Sequence, residues 1–243
     1  MSPINSSISH SFATATTFPK IATNGLIFHY DAGQQNSYNG TGTWRDISGF
    51  GNPTNGTLTN GPSFSSANGG IIEFDASNER IIASNSKLFH RTANWTYTFT
   101  INFNALSNLF IGFFESGATS GDTFLMRYQN FGGGSANIRL YVKSSSSADG
   151  TVSFIPSAGV WYHLTFVRSG NSVDFYRNGV YSSRINNWNA DINPSTQFIH
   201  IGNEQQDNYP FSGKMANFIV YNRDITAAEV KQNFDAIRGR FGI

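Results

Sequence analysis

In the stretch NWTYTFTINF (residues 94–103), Trp95, Tyr97, Phe99, Ile101 and Phe103 alternate with Thr96, Thr98, Thr100 and Asn102. Successive side chains leave a β-strand on opposite faces. A strict period of two therefore commits this segment to an antiparallel sheet with one apolar face. The other face, all threonine and asparagine, is expected to meet water. The alternation continues in NIRLYVK (137–143), where Ile138, Leu140 and Val142 interleave with Arg139, Tyr141 and Lys143.

Other short runs read as strands at 25–30, 69–76, 79–84, 109–114, 123–129, 151–155, 197–202 and 214–222. LFIGFF (109–114) is continuously apolar, as for a strand covered on both sides. Residues 31–70 are rich in Gly, Asn and Thr, with Trp44 and Ile47 as anchors. Short strands at turn-punctuated intervals indicate a sandwich or barrel. One helix is expected near the C-terminus. Thr226 and Glu229 form a capping box, Val230, Phe234 and Ile237 form one apolar stripe, and Gly239 is the stop signal. That helix is expected to dock on a sheet edge or face.

Charged residues make up 13% of the chain and aromatics 15%, which marks a folded rather than a disordered polypeptide. A net charge of +1 supplies no field to draw in nucleic acid or an anionic membrane, and neither is expected as a partner. No apolar run approaches the roughly 20 residues of a membrane span. Cysteine is absent, so folding needs no disulfide. The first residues, MSPINSSISHSFATATTFPK, lack the charged and apolar regions of a secretion signal. Without one, the Asn-x-Ser/Thr triplets at Asn5, Asn39, Asn55 and Asn94 carry no weight. Residues 1–24 read as an N-terminal arm, with Ile8, Phe12 and Phe18 scattered among Ser and Thr, and residues 25–243 as one sandwich domain. Such an arm is expected to dock on its own domain or on a neighbouring subunit.

The meander WYHLTFVRSGNSVDFYRNGVYSS (161–183) tests for chemistry, because it holds His163 and Asp174. Tight turns at Gly170-Asn171 and Asn178-Gly179 pair position 166 with 175 and 176 with 181. His163 and Asp174 then lie about 13 Å apart along the sheet, too far for a dyad. The meander is a framework element.

Trp161-Tyr-His-Leu, Val173-Asp-Phe-Tyr-Arg-Asn-Gly, Ile201-Gly-Asn203, the run Phe211 to Arg223, and Ile225-Thr-Ala-Ala-Glu229 occur in an order that resembles the laminin-G-like, concanavalin A-like lectin domain family. Gly25 to Gly33 and Ile72 to Asp75 resemble its opening strands. The resemblance covers about residues 25–237. It implies an all-β, two-sheet antiparallel jelly-roll sandwich of about a dozen strands with one short C-terminal helix. Asp31 to Gly49, followed by Asn55 to Pro62, resembles a version found in structural proteins of tailed, notably marine, bacteriophages. That implies a virion component assembled in the host cytoplasm.

Glucanases of this architecture carry Glu-x-Asp-x-Glu on one strand, with nucleophile and acid/base about 5–5.5 Å apart. Here Glu73-Phe-Asp75-Ala-Ser77 places a serine where the acid/base belongs, and Glu79 lies one strand step too far. No Cys, nucleophile elbow, zinc-binding His pair or phosphate loop is present, and the histidines are scattered, so no catalytic residue is assigned. The resemblance raises calcium at a sandwich rim, an ion that needs six to eight oxygens. The carboxylates available are Asp31, within the Asp31–Asp46 segment, and Asp207. Neither segment is densely acidic, and no cofactor is assigned. A sugar site needs an aromatic platform flanked by carboxamides or carboxylates. Trp188 and Tyr209 are the candidate platforms, with Asn203, Asp207 and Asn208 as polar partners. The alternative for Trp188 is a plug at the rim of the core.

These readings converge on a non-enzymatic bacteriophage virion protein of tail, fibre or head surface. It would be present as a homo-oligomer or in many copies, contacting other virion proteins through residues 1–24, with weak adhesion to cell-surface glycan as a further role. A carbohydrate-binding adhesin module is the alternative, and a glycoside hydrolase the third reading.

Overall fold

The fold is seen in a computed structural model that describes residues 19–84, 94–106, 110–117, 123–132, 135–143, 148–189, 198–204 and 208–243. Within these residues lie β1 (Leu26–Asp31), β2 (Thr43–Trp44), β3 (Gly56–Thr59), β4 (Ser63–Ser65), β5 (Ile71–Asp75), β6 (Arg80–Ser84), β7 (Trp95–Phe103) and β8 (Phe110–Gly117). They are followed by β9 (Thr123–Asn130), β10 (Ala136–Lys143), β11 (Ala148–Ser153), β12 (Trp161–Ser169), β13 (Ser172–Arg177), β14 (Val180–Asn186), β15 (Phe198–Ile201), β16 (Ser212–Tyr221) and α1 (Ala227–Ile237). Residues 1–18, the loop 144–147, and Asp191 and Asp207 fall outside the described part.

Two antiparallel sheets face each other. The first runs β14-β13-β12-β7-β16-β5-β4, with β1 also paired to β16; the second runs β11-β10-β9-β8-β15-β6-β3-β2. The expected all-β jelly-roll sandwich with one C-terminal helix is what the chain forms. The core between the sheets is aromatic, and its rings bridge them. Tyr97 meets Phe124 at 5.6 Å, Phe103 meets Tyr128 at 5.5 Å, and Tyr30 stacks on Trp44 at 5.1 Å. Offset and edge-on contacts of this kind add to the area they bury. Trp44 is fully buried, as an anchor should be, whereas Ile47 is only half-buried.

The meander pairs as its turns dictate: Phe166 faces Phe175, Tyr176 faces Tyr181, and Asp174 sits opposite Val167. Asp174 is bound by Arg184, with Nε to Oδ1 at 2.6 Å, and takes no part with His163. Three short strands, β2, β3 and β4, lie inside the 31–70 stretch that reads as loop from sequence. They are too short and too rich in Gly, Ser and Thr to show a period.

One expectation fails informatively. Every residue of β7 is buried, including Thr96, Thr98, Thr100 and Asn102. The threonine face is dry because α1 lies across it. The Thr226–Glu229 capping box starts this helix as read, and Val230, Phe234 and Ile237 are buried beneath it. Val230 packs in a second cluster with Val167, Tyr176, Ile219 and Tyr221, while Ile237 joins Ile71, Trp161, Ala216 and Phe241 in a third. Cross-strand partners satisfy much of the buried polar face. Thr98 Oγ1 lies 3.1 Å from Thr165 Oγ1, and Thr100 Oγ1 lies 2.9 Å from His163 Nδ1. Gly239 does not end the helix on its own; the chain tightens into a 3-10 turn at Arg238–Arg240.

The chain before β1 also lies on this face. Ala22 N donates to Asn233 Oδ1 at 2.8 Å, and Tyr221 Oη donates to Ala22 O at 2.8 Å. Residues 19–24, counted with the arm from sequence, thus pack against α1.

Candidate functional site

α1 covers the middle of the first sheet's outer face, and on the outer face of the second sheet a set of polar and aromatic groups gathers over β9, β10 and β11. Its core-facing residues, Phe124, Met126 and Tyr128 on β9 and Ile138, Leu140 and Val142 on β10, are buried. Period two therefore turns Leu125, Arg127 and Gln129, and Asn137, Arg139 and Tyr141, away from the core. Of these, Arg127 (8% exposed) and Gln129 (4%) are buried beneath their neighbours, while Asn137, Arg139 and Tyr141 are half-buried; Asp149 on β11 is exposed. Register places them in rows. Gln129 is opposite Asn137, Arg127 opposite Arg139, and Leu125 opposite Tyr141, which in turn pairs with Asp149 on β11.

These groups hold one another in fixed poses. Arg139 Nε donates to Asp149 Oδ1 at 2.7 Å, and Nη2 reaches Asp149 Oδ2 to complete a fork. The Arg139 guanidinium lies 4.8 Å from the centre of the Tyr141 ring. Gln129, with its amide oriented to suit both neighbours, accepts from Arg127 Nε at 3.0 Å and Nη2 at 2.9 Å, and donates to Asn137 Oδ1 at 3.2 Å. Arg127 stacks 4.6 Å from the centre of the Tyr209 ring.

Tyr209 is delivered by the loop 202–211. Gly202 has φ of +90°, and a Cβ there would meet Phe74 Cε1 at 2.3 Å, so the loop leaves β15 by a path open to glycine. Phe211 N closes the loop on Gly202 O at 2.8 Å. Asn203 is 1% exposed, and its Oδ1 accepts from Glu204 N at 2.8 Å, so it shapes the loop from within. Asn208 is exposed, and its main-chain amide donates to Glu204 Oε1 at 3.2 Å.

Of the residues singled out from sequence, Tyr209 reaches this face, with Asn208 beside it on the same loop. Trp188 does not. It is 1% exposed, packed edge-on to Phe124 at 6.4 Å, and offers no ring face to a sugar. It is the rim plug. Asp31 is not a free metal ligand either. Its Oδ1 accepts from Gly33 N at 2.9 Å and from Arg240 Nη1 at 2.8 Å. Asp46 is engaged by the amides of His29, Ser48 and Thr54. These carboxylates pin loops, and Asp207 lies outside the described residues. Among the described residues no three His, Asp or Glu side chains gather as a metal site.

The glucanase-like triplet lies elsewhere, on β5 beside the edge strand β4. Ser77 N donates to Asp75 Oδ1 at 2.8 Å, and Glu79 Oε2 accepts from Asp75 N at 2.7 Å. Hydrogen bonds from Ser77 lower the Asp75 pKa, and burial raises that of Glu79. Opposed shifts can mark an acid/base pair. Here both carboxylates are bound into one turn, beside a hollow of about 260 Å³ that Glu73, Asn104 and Lys214 also line.

Arg127, Gln129, Asn137, Arg139, Tyr141 and Asp149 were not assigned a role from sequence, although the alternation in 137–143 places Arg139 and Tyr141 on one face. The usable signal is the alternation in 137–143, which sets Arg139 and Tyr141 on the half-buried side of β10, whereas Arg127 and Gln129 on β9 are buried.

A two-sheet sandwich with a helix across one sheet and stacked guanidinium, tyrosine and carboxamide groups on the outer side of the other is a lectin-like fold of the carbohydrate-binding type. The chain belongs to the Concanavalin A-like lectin/glucanases superfamily, whose profile matches residues 75–231. No curated protein matches the sequence. Among solved structures it is similar to domain 4 of AbnA, a GH43 extracellular arabinanase from Geobacillus stearothermophilus, in complex with arabinotriose. The identity is 19% and the TM-score 0.67, covering 86% of this chain and 97% of that one. It is also similar to the binding domain of Paraclostridial Mosquitocidal Protein 1, at 18% identity and TM-score 0.65, covering 87% of this chain and 52% of that one. The receptor binding domain of botulinum neurotoxin D gives 12% identity and TM-score 0.66, covering 88% and 53%. The chain thus spans about half of each toxin domain. At such identities these likenesses establish the fold alone.

Proposed function

We propose that this chain is a non-enzymatic glycan-recognition module that binds on the outer side of its second sheet, where Arg139, Tyr141, Asp149 and Tyr209 are accessible. The observation that carries this reading is the Arg127–Tyr209 and Arg139–Tyr141 pair of stacks, side by side on directly opposed strand positions. Each stack is flat and amphipathic, suited to the apolar face of a pyranose or furanose ring. Asn137 and Asp149 beside them offer donors and acceptors for hydroxyls. The Arg139–Asp149 fork is exposed and contributes little to stability. The arabinotriose seen with the similar arabinanase domain agrees with a saccharide of this size.

The setting we propose is a bacteriophage particle, with the chain in many copies on tail, fibre or head surface. The support is the resemblance of Asp31 to Gly49 and of Asn55 to Pro62 to phage structural proteins. Mass spectrometry of purified particles should find the chain at fixed stoichiometry; its absence from them would remove the virion setting and leave the recognition face untouched.

Binding is tested on a glycan array with wild type, Arg139→Ala and Tyr141→Ala. Both positions are half-exposed, so the variants should keep the wild-type circular dichroism melt. Array signals should fall at least tenfold, about the 1.4 kcal/mol of one lost stacking or charged contact. Variants that bind as wild type does would sink the assignment.

A further inference from the structure

Asparagine is followed by glycine at Asn24, Asn39, Asn55, Asn60, Asn68 and Asn178. Such a pair carries its own reaction. The glycine amide nitrogen, unshielded by a side chain, lies in reach of the asparagine Cγ. The fold restrains five of these pairs and leaves one poised.

Asn178 is tied twice to His163. Its N donates to His163 O at 2.8 Å, and its Oδ1 accepts from His163 N at 2.9 Å. Asn68 Nδ2 donates to Arg240 O at 2.9 Å, and Asn68 O accepts from Arg240 Nε at 3.0 Å. Asn60 Nδ2 donates to Asn78 O at 3.0 Å. Asn24 O accepts from Arg223 Nε at 2.9 Å and Gly25 O from Asn222 N at 2.9 Å, which fixes the peptide between them. Asn55 Oδ1 accepts from Asp46 N at 3.1 Å, and Gly56 is buried in β3, with Trp44 opposite on one side and Ala83 on the other.

Asn39, Gly40 and Thr41 are exposed at the tip of a loop. Ser37 and Arg45 close its base. Arg45 N donates to Ser37 O at 2.7 Å, and Ser37 Oγ donates to Arg45 O at 2.7 Å. Gly40 has φ of +85°, and nothing beyond its chain neighbours comes within 4 Å of where a Cβ would stand. Its amide makes no hydrogen bond to a described residue. Thr41 Oγ1 donates to Asn39 Oδ1 at 2.6 Å, and Arg45 Nη2 donates to Thr41 Oγ1 at 3.5 Å. The side-chain carbonyl is thus drawn forward, toward Gly40, and polarised by a hydroxyl that a guanidinium backs. A donor fixed on the oxygen where negative charge develops lowers the barrier to acyl transfer.

We propose that Asn39-Gly40 is a self-modification site, converted to aspartate and isoaspartate with Thr41 as its oxyanion donor. Gly40 N gives its proton to base and bonds to Asn39 Cγ. Negative charge gathers on Oδ1, where Thr41 Oγ1 donates. The oxyanion collapses, the bond from Cγ to Nδ2 breaks, and Nδ2 leaves with a proton as ammonia. Water then opens the cyclic imide at either carbonyl. The net exchange is water in and ammonia out, with no oxidant and no second protein. The new carboxylate stands one hydroxyl away from Arg45, beyond the Ser37–Arg45 closure.

Asn55-Gly56-Thr57 repeats the tripeptide Asn39-Gly40-Thr41 and controls for intrinsic chemistry. The full-length chain is incubated at mildly alkaline pH, folded and in urea. Digests are read by mass spectrometry, with electron-transfer fragmentation to separate isoaspartate from aspartate. In urea the two sites should convert at matched rates. In the folded chain Asn39 should convert at least tenfold faster than Asn55 and ahead of the other four. Thr41→Val should slow Asn39 at least threefold, while Thr41→Ser, which keeps the hydroxyl, should not; both exposed variants should keep the wild-type thermal melt. Equal folded rates at Asn39 and Asn55, another pair converting first, or a Thr41→Val chain as fast as wild type would each overturn the proposal.

Discussion

Trp188→Ala should lower the unfolding free energy by about 3–5 kcal/mol, the range for truncating a large aromatic in a packed core. The side chain is 1% exposed and sits in the inter-sheet cluster against Phe124. Its main-chain amide donates to Asn171 O at 2.9 Å, which ties the end of β14 back to the β12–β13 turn. Removing the indole leaves a cavity where the sandwich closes, and surrounding strands relax only partly into it. Urea unfolding monitored by circular dichroism reads the loss as a lower midpoint at unchanged slope. Trp188→Phe, which keeps a ring in place, should cost markedly less. A Trp188→Ala variant as stable as wild type but unable to bind glycan would restore the platform reading and contradict the core placement.

His163 should make the domain acid-sensitive well above the carboxylate range. Its ring is fully buried, stacked near Phe234 of α1 at 5.9 Å, with Nδ1 on Thr100 and Nε2 unpartnered among the described residues. Burial alone holds its pKa down to about 3, against 6.5 for a free imidazole. In the folded chain the ring is therefore neutral, while in the unfolded chain it takes up a proton below about pH 6.5. The unfolded state binds more protons, so stability is fully present above that pH and falls as pH drops. The slope approaches 1.4 kcal/mol per pH unit, and the full loss reaches about 5 kcal/mol near pH 3. His29 shifts in the same direction, so the comparison is made against His163→Gln. The wild-type unfolding free energy should drop more steeply than that of His163→Gln between pH 6.5 and 5. Parallel slopes for the two proteins would show that His163 is not held neutral by burial.

The contrast between β7 and β10 explains what the sequence made legible. Both alternate with period two, and both strands, their faces and their core residues follow from that alternation alone. What the alternation does not encode is which polar face gains a roof. The apolar stripe of α1 announced that the helix would dock, but its target emerges only when β16 brings the C-terminus back across β7 and β12. Trp188 shows the same limit. An indole amid Asn and Asp reads as a sugar platform, and only the return of β14 toward β9 reveals it as a plug. Tyr209 was legible because its loop is polar on both sides. Arg127 and Arg139 were not assigned, because what makes them a site is their cross-strand register, set by the β9–β10 hairpin rather than by either strand. The 31–70 stretch hid three strands for a simpler reason: runs of two to four residues, Thr-Trp, Gly-Thr-Leu-Thr and Ser-Phe-Ser, are too short to show a period.

The outer side of the second sheet is the centre of this account, and backbone amide chemical shifts test it most directly. The ¹⁵N-labelled chain would be titrated with its strongest array ligand. Shifts should concentrate at Arg127, Gln129, Asn137, Arg139, Tyr141, Asp149 and Tyr209, in one contiguous patch across β9, β10, β11 and the 202–211 loop. Shifts centred instead on His29, Ile219 and Ala236 to Arg240, with that patch silent, would place recognition on the far side of the sandwich and contradict the account.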